Sequence, residues 1–514
     1  MTQEVDEWAD VATLPGESPP VDEQLRAIQP DDRVTAAIVQ PGFPLTQAYS
    51  LLFDAYANHP ALGERAWRMV ETEEATRVRD YLDAFSTISY AELGQRVTGL
   101  ATAWRRHDEH IVRPGEFVAL FGQPGIDITT GILAAIFAQA VHVPLLASQA
   151  AEDTRTILDE IAPAAMLVDI RDVERMVPFA LATPSLRSFV VLSADLRIDE
   201  DAGIIARARA ALAQAGHAIA LATIDELIAF GRERTFEPLP ADPAGQDAML
   251  AILYTSGSTG KPKGAIYSEA IVRLPILQVE KPQANIALIF AGMNHSLGYS
   301  HVFRTLAQGG TVFFTLKSDM SSLFDDLRIS RPTHLNLFPR VIEQIYQYFL
   351  GEVLHRVSRG QDRTEAETAV RQAMAKTFLG DRLVFAVVGG APISRELRQF
   401  FMDTFGVPLC VGYGSTETSG VTFDGRLDRR FVTDFELRDV PELGYSNTDR
   451  PWPRGELAVK TRSAIPGYYK DAKATAGIRD ENGWILTGDV YELRALLHAG
   501  LAEAARTLWR GFPS

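Results

Sequence analysis

The 514-residue sequence has a single cysteine, Cys410, which excludes an intrachain disulfide framework and any multi-thiolate zinc or iron–sulfur site. A reducing, cytoplasmic location is expected. Positive charge is also scarce: 50 Lys and Arg face 66 Asp and Glu, a net charge of −16 with His neutral. Binding a polyanion needs a surplus of Lys and Arg on one face, so the balance argues against nucleic acid as a partner. Long apolar runs are missing. The longest uncharged apolar run, residues 131–148, is interrupted by Gln139, His142 and Pro144. It reads as a helix entering a buried strand rather than a membrane span of about 20 residues. Residues 1–10 (MTQEVDEWAD) are acidic, unlike the basic start of an export signal. No internal repeat, long low-complexity tract or recognisable Ser–His–Asp set is present.

What remains is ordinary globular material, 46% apolar and 23% charged. Residues 1–45 are rich in Pro, Asp and Glu, with a short helical patch at 21–27, and are expected to be a loosely docked N-terminal extension. From Leu45 apolar positions recur at helical spacing. Ser89 and Glu92 are spaced as a capping box at a helix start. Residues 117–121 (FVALF), 141–146, 166–168, 189–192 and 218–222 read as buried strands between helical stretches such as 200–215. This alternation predicts an α/β fold of largely parallel sheets flanked by helices. The Pro/Asp-rich residues 238–247 mark a boundary, giving a first α/β subdomain over 46–245 and a second, with a smaller β-rich part, over 246–490.

Residues 254–264 read YTSGSTGKPKG, directly after the apolar 249–253. Glycines let a backbone approach a polyphosphate, hydroxyls donate to its oxygens, and Lys261 and Lys263 supply charge. Composition alone leaves a flexible surface loop as an equal reading. A Walker A loop does not fit: counted back from Gly260 and Lys261, Thr255 stands where its first Gly belongs, and Pro262 where Ser or Thr belongs.

The string resembles the signature loop of the adenylate-forming superfamily of acyl-CoA synthetases, nonribosomal adenylation domains and luciferases. Residues 412–417 (GYGSTE), 487–489 (TGD), 388–392 (VGGAP), 454–460 (RGELAVK) and 466–469 (PGYY) match further blocks. The resemblance implies that Thr255, Ser256, Gly257, Ser258, Thr259, Gly260 and Lys263 cradle the ATP phosphates. It implies that Tyr413 stacks on adenine within the Gly414–Ser415 turn, and that Asp489 accepts from the ribose hydroxyls. Gly390, Ala391 and Pro392 would lie against adenine and the acyl pocket. Thr416 and Glu417 would contact phosphate, with Glu417 holding Mg²⁺. Residues 317–327, 331–341 and 440–445 are similar to the adenylation domain of bacterial carboxylic acid reductases. Neither a carrier-protein Ser site nor a reductase GxxGxxG region is found.

Two departures stand out. At the acyl-pocket histidine the chain reads AGMNH (291–295), so His295 is kept as a substrate contact while Gly292 and Asn294 replace the family's Pro and Ser. Beyond Asp489 the family continues through a hinge into a small C-terminal subdomain with a catalytic Lys. Residues 491–514 match none of it, and Leu493, Leu496, Leu497, Leu501, Ala504 and Leu508 give an amphipathic helical pattern. The expectation is therefore a truncated core that forms acyl-AMP and pyrophosphate from ATP and a carboxylic acid, with weak turnover and no thioester step. A carrier protein or a separate C-terminal subdomain would be its partner. A competent stand-alone acyl-CoA or acyl-AMP ligase and a non-catalytic nucleotide-binding remnant stay open.

Overall fold

The structure, a computed structural model, describes residues 3–5, 22–214, 218–256, 261–277, 279 and 282–493. Two large sheets carry the fold. The first has seven strands in the order Pro262–Ser268, Met249–Ser256, Val141–Leu145, Phe117–Phe121, Ala165–Asp169, Ser188–Leu192 and Ala220–Thr223, all parallel except the first pair. The second has nine: Arg426–Leu427, Ser419–Phe423, Leu409–Ser415, Phe385–Val388, His334–Leu337, Ile286–Ile289, Thr311–Phe314, Pro60–Glu71 and Arg77–Ser89. Its five central pairings are parallel and its three outer ones antiparallel. The expected α/β architecture is present, and so is the small β-rich part. There Ile485–Leu493 pairs with Arg454–Thr461, which pairs with Val432–Arg438, and Gln3–Val5 lies on the outer edge. Each large sheet takes strands from both sides of residue 245.

Local signals explain the elements. The strands Phe117–Phe121 and Ala165–Asp169 are continuous apolar runs because helices cover both faces of a parallel sheet. The capping box forms at helix Tyr90–Arg106, where the Ser89 N–H donates to Glu92 Oε2 at 2.7 Å and Ser89 Oγ accepts from the Glu92 N–H at 3.2 Å. An equivalent box, Thr223 with Glu226, opens helix Ile224–Arg232. Among the described residues, no helix is long and apolar enough to cross a membrane.

Two expectations need correction. Residues 22–45 are not loosely docked: Leu25, Ile28 and Ile38 are fully buried. Buried arginines hold this segment. Arg382 donates to Asp22 Oδ2 and Gln24 Oε1, both at 2.8 Å, and Arg273 to the Ile38 and Gln40 carbonyls at 2.7 and 2.6 Å. The sparse apolar residues of a Pro/Asp-rich segment suffice once these bonds satisfy its backbone. The second correction is at the other end. Tyr491 to Leu493 continue the strand Ile485–Leu493 rather than begin a helix, because Tyr491 is buried against Tyr413. The remainder of the helical pattern, from 494 on, lies outside the described residues.

One carboxylate bridges the two sheets. Glu64, on Pro60–Glu71, accepts the Ile126 N–H at 2.7 Å at the start of helix Ile126–Phe137. Burial, with the Asp127 charge adding to it, pushes its pKa up to about 7. A carboxyl raised in the folded state favours folding while protonated and loses that advantage as pH climbs through the folded pKa. Stability is therefore expected to fall between about pH 4.5, the ordinary value for the unfolded carboxyl, and about pH 7, and to level off above that. Glu64→Gln keeps the acceptor for Ile126 and should flatten that slope, adding about 1–3 kcal/mol at the alkaline end and little near pH 5. Urea unfolding across pH measures it.

Candidate active site

Strands Met249–Ser256 and Pro262–Ser268 form an antiparallel hairpin in which Lys263 pairs with Thr255 and Pro262 with Ser256. The expected loop is therefore shorter than the motif. Gly257, Ser258, Thr259 and Gly260, which would line it, lie outside the described residues. The hairpin base is anchored: Tyr254 Oη donates to Glu160 Oε2 at 2.7 Å, and Lys470 Nζ to the Glu160 carbonyl at 2.6 Å.

Residues 466–469 run antiparallel beside the hairpin's outer strand. The Ile266 N–H donates to the Gly467 carbonyl at 3.0 Å and the Tyr469 N–H to the Gly264 carbonyl at 2.8 Å, with Ala265 and Tyr468 bridged between them. This docking puts the Tyr468 ring under Lys263, whose Nζ is 5.6 Å from the ring centroid. The Tyr468 hydroxyl donates to Glu417 Oε1 at 2.6 Å. Lys263 and Glu417, 154 positions apart by their numbers, thus share one aromatic neighbour. Burial and the Glu417 acceptor both raise the Tyr468 pKa, so its hydroxyl keeps its proton.

Glu417 sits in the turn between strands Leu409–Ser415 and Ser419–Phe423. Ser415 Oγ accepts the Glu417 and Thr418 N–H groups at 3.2 Å each, an ST turn that aims the carboxylate. From outside, Tyr267 Oη donates to the Thr416 carbonyl at 3.2 Å, Ser463 Oγ to the Thr418 carbonyl at 2.6 Å, and the Ile465 N–H to the Glu417 carbonyl at 2.9 Å. Glu417 Oε2 takes no hydrogen bond from the described residues. Gly414 is required where it stands: a Cβ there would be 2.0 Å from the Ser419 carbonyl oxygen.

The remaining candidates join the same surface. Tyr413 Oη donates to Asp489 Oδ2 at 2.5 Å, and burial, reinforced by this carboxylate, raises the phenol pKa. Asp489 follows Gly488, whose φ of +74° turns the strand so that the carboxylate stays exposed. Because Val388 pairs with Val411, the Gly389–Gly390 turn lies against Gly412, and a Cβ on Gly389 would be 3.1 Å from the Gly412 carbonyl oxygen. Gly390 has φ +81° and faces the Phe338 ring, leaving Ala391 and Pro392 exposed. Phe338 in turn meets His295 edge-on at 6.4 Å. His295 caps helix Ser296–Ala307 by accepting the Leu297 N–H on Nδ1 at 3.1 Å, and burial lowers its pKa. The neutral ring therefore carries its proton on Nε2.

Every described candidate thus belongs to one continuous surface: Lys263 by Tyr468 to Glu417, along the turn to Tyr413 and Asp489, and across Gly412, Gly389 and Phe338 to His295. Tyr468, Tyr267 and Phe338 were not candidates from the sequence. Only the block 466–469 carried a signal for the first of them, and it did not distinguish Tyr468 from Tyr469.

Residues 66–469 match the family described as AMP-binding enzyme. The chain is similar to a carboxylic acid reductase of Segniliparus rugosus, 38% identical over 482 residues that take in 91% of this chain and 40% of the relative. It therefore spans less than half of that relative's length. Two solved structures from the same organism superpose on it. The A domain of carboxylic acid reductase in complex with AMP and a co-purified carboxylic acid gives a TM-score of 0.88 at 37% identity, covering 92% of this chain and 76% of that one. The A-PCP didomain in complex with AMP gives 0.87 at 37% identity, covering 92% and 66%.

The turn geometry yields its own test. Gly414→Ala places a methyl against backbone, which cannot move aside as a side chain would, and is expected to cost about 1–3 kcal/mol or more in thermal or urea unfolding.

Proposed function

The chain belongs to the family of AMP-binding enzymes, and we propose that it activates a carboxylic acid at the surface described above. A carboxylate oxygen attacks the α-phosphorus of ATP, a new P–O bond forms, the bond to the bridging oxygen breaks, and acyl-AMP and pyrophosphate result. Two anions must meet, so the protein's work is positioning and neutralisation of phosphate charge.

The observation that carries this reading is the joining of Lys263, Glu417, Tyr413 and Asp489 through Tyr468 and the 413–417 turn. In it Thr255, Ser256, Ser258, Thr259 and Lys263 bind the β- and γ-phosphates. Tyr413 stacks on adenine, and Asp489, with one oxygen beyond the Tyr413 bond, takes the ribose hydroxyls. His295 and the 389–392 turn border the acid. Mg²⁺ fits the donor set: a hard dication takes oxygen ligands, commonly one carboxylate plus nucleotide phosphates, and Glu417 Oε2 is uncommitted. No group of three His, Cys, Asp or Glu forms an all-protein site among the described residues. When bound, it supplies charge neutralisation at the phosphates. A carrier-protein thiol as the next acyl acceptor is supported by the A-PCP relative.

Calorimetry with nucleotides tests the assignments. Asp489→Ala is expected to weaken ATP·Mg²⁺ and AMP alike by about 10- to 100-fold, as for a lost charged hydrogen bond. Lys263→Ala should weaken ATP and leave AMP nearly unchanged, since AMP lacks the phosphates that Lys263 meets. Hydroxamate trapping across a panel of acids, with and without a C-terminal subdomain supplied separately, reads acyl-AMP formation. No nucleotide binding, or equal loss of AMP and ATP in Lys263→Ala, would contradict the reading.

A further inference from the structure

Glu417 and Asp489, like Glu160, are held by a tyrosine hydroxyl rather than by an arginine. Asp22, Asp169, Asp326 and Asp424 each pair with an arginine. Glu417 and Asp489 instead receive a tyrosine hydroxyl, at 2.6 and 2.5 Å, and neither is in an ion pair among the described residues. A guanidinium would orient a carboxylate and cancel its charge. A phenol orients it and leaves the charge in place.

Tyr468 is itself held from several sides. Its N–H donates to Thr475 Oγ1 at 2.9 Å, and Thr475 Oγ1 donates to its carbonyl at 3.2 Å. Its neighbours Gly467 and Tyr469 are hydrogen-bonded to the hairpin. Gly467 permits this fit, because a Cβ there would lie 2.6 Å from the Thr475 methyl. The hydroxyl that meets Glu417 is therefore carried on backbone fixed to the phosphate-loop hairpin.

We infer that Tyr468 is a positioning residue for the metal carboxylate: its hydroxyl fixes one oxygen of Glu417 and presents the other, still charged, to the divalent ion on the nucleotide. The same contact ties the hairpin to the metal position. The inference rests on the proposed role of Glu417. Partners that orient a ligand from outside the coordination sphere commonly matter about 10- to 100-fold in metal affinity.

The test uses the full chain and Mn²⁺·ATP, with bound Mn²⁺ read by electron paramagnetic resonance and water-proton relaxation, so that turnover is not needed. Tyr468→Phe keeps the ring and removes only the hydroxyl. It is expected to weaken Mn²⁺·ATP by about tenfold, with metal-free ATP changed by less than about twofold. Tyr469→Phe, on the same segment, should change neither. In a Glu417→Gln background, Tyr468→Phe should add no further loss, because the two groups act as one unit. A lower melting temperature with unaltered Mn²⁺ affinity would make Tyr468 merely structural and overturn the inference. If Glu417→Gln also leaves Mn²⁺·ATP unchanged, the metal role of Glu417 falls and the inference with it. If Glu417→Gln loses Mn²⁺ while Tyr468→Phe does not, only the inference falls. Should Tyr468→Phe fail to fold, Glu417→Asp serves instead: it keeps the charge but withdraws it from the hydroxyl. It is expected to lose Mn²⁺ affinity, and parental affinity would overturn the inference.

Discussion

A short antiparallel contact closes the site: the Ile266 N–H on the Gly467 carbonyl and the Tyr469 N–H on the Gly264 carbonyl. The hairpin belongs to the seven-stranded sheet, and the Glu417 turn to the nine-stranded one. Residues 463–469 touch both, through these bonds on one side and through Ser463 and Ile465 on the other. Together with the Tyr267 hydroxyl on the Thr416 carbonyl, that crossing sets the distance between the lysine and the carboxylate, which sit on separate sheets. The fold makes similar use of the N-terminal segment, which Arg382 and Arg273 bind to the body by their planar forks.

Charge is distributed with the same economy. The chain is acidic overall, with a net charge of −16. In the proposed function the lysine of the hairpin, Lys263, supplies positive charge locally, which needs no change in the protein's net sign. Within the acidic surface, arginines neutralise the structural carboxylates. Asp326, fully buried, collects Arg65, Ser322 Oγ and the Leu316 N–H, which accounts for the form of the 317–327 block. The carboxylates of the site are spared that neutralisation.

Much of the fold was legible because it rests on local periodicity. Apolar runs at 117–121 and 189–192 became buried parallel strands, and Ser89 with Glu92 capped helix Tyr90–Arg106. Errors arose where a distant partner overruled composition. Residues 22–45 read as loose, since Pro, Asp and Glu predict weak burial, yet two remote arginines satisfy their backbone and carboxylates. Leu493 fitted a helical pattern, yet the neighbouring strands captured Tyr491 to Leu493 into pairing.

By itself the sequence determined the residue types of the proposed site, because they stand in short local strings, 254–264, 412–417 and 487–489. It also determined the alternation of strand and helix, which follows from which neighbours along the chain are apolar. The tertiary structure alone decided that Tyr468 meets Glu417, that Tyr413 meets Asp489 and that Phe338 lies between Gly390 and His295. Those contacts join residues 43 to 76 positions apart by their numbers, and no local pattern encodes them. Side-chain partners at such separations are chosen by how sheets stack and cross, which is a property of the whole packed chain.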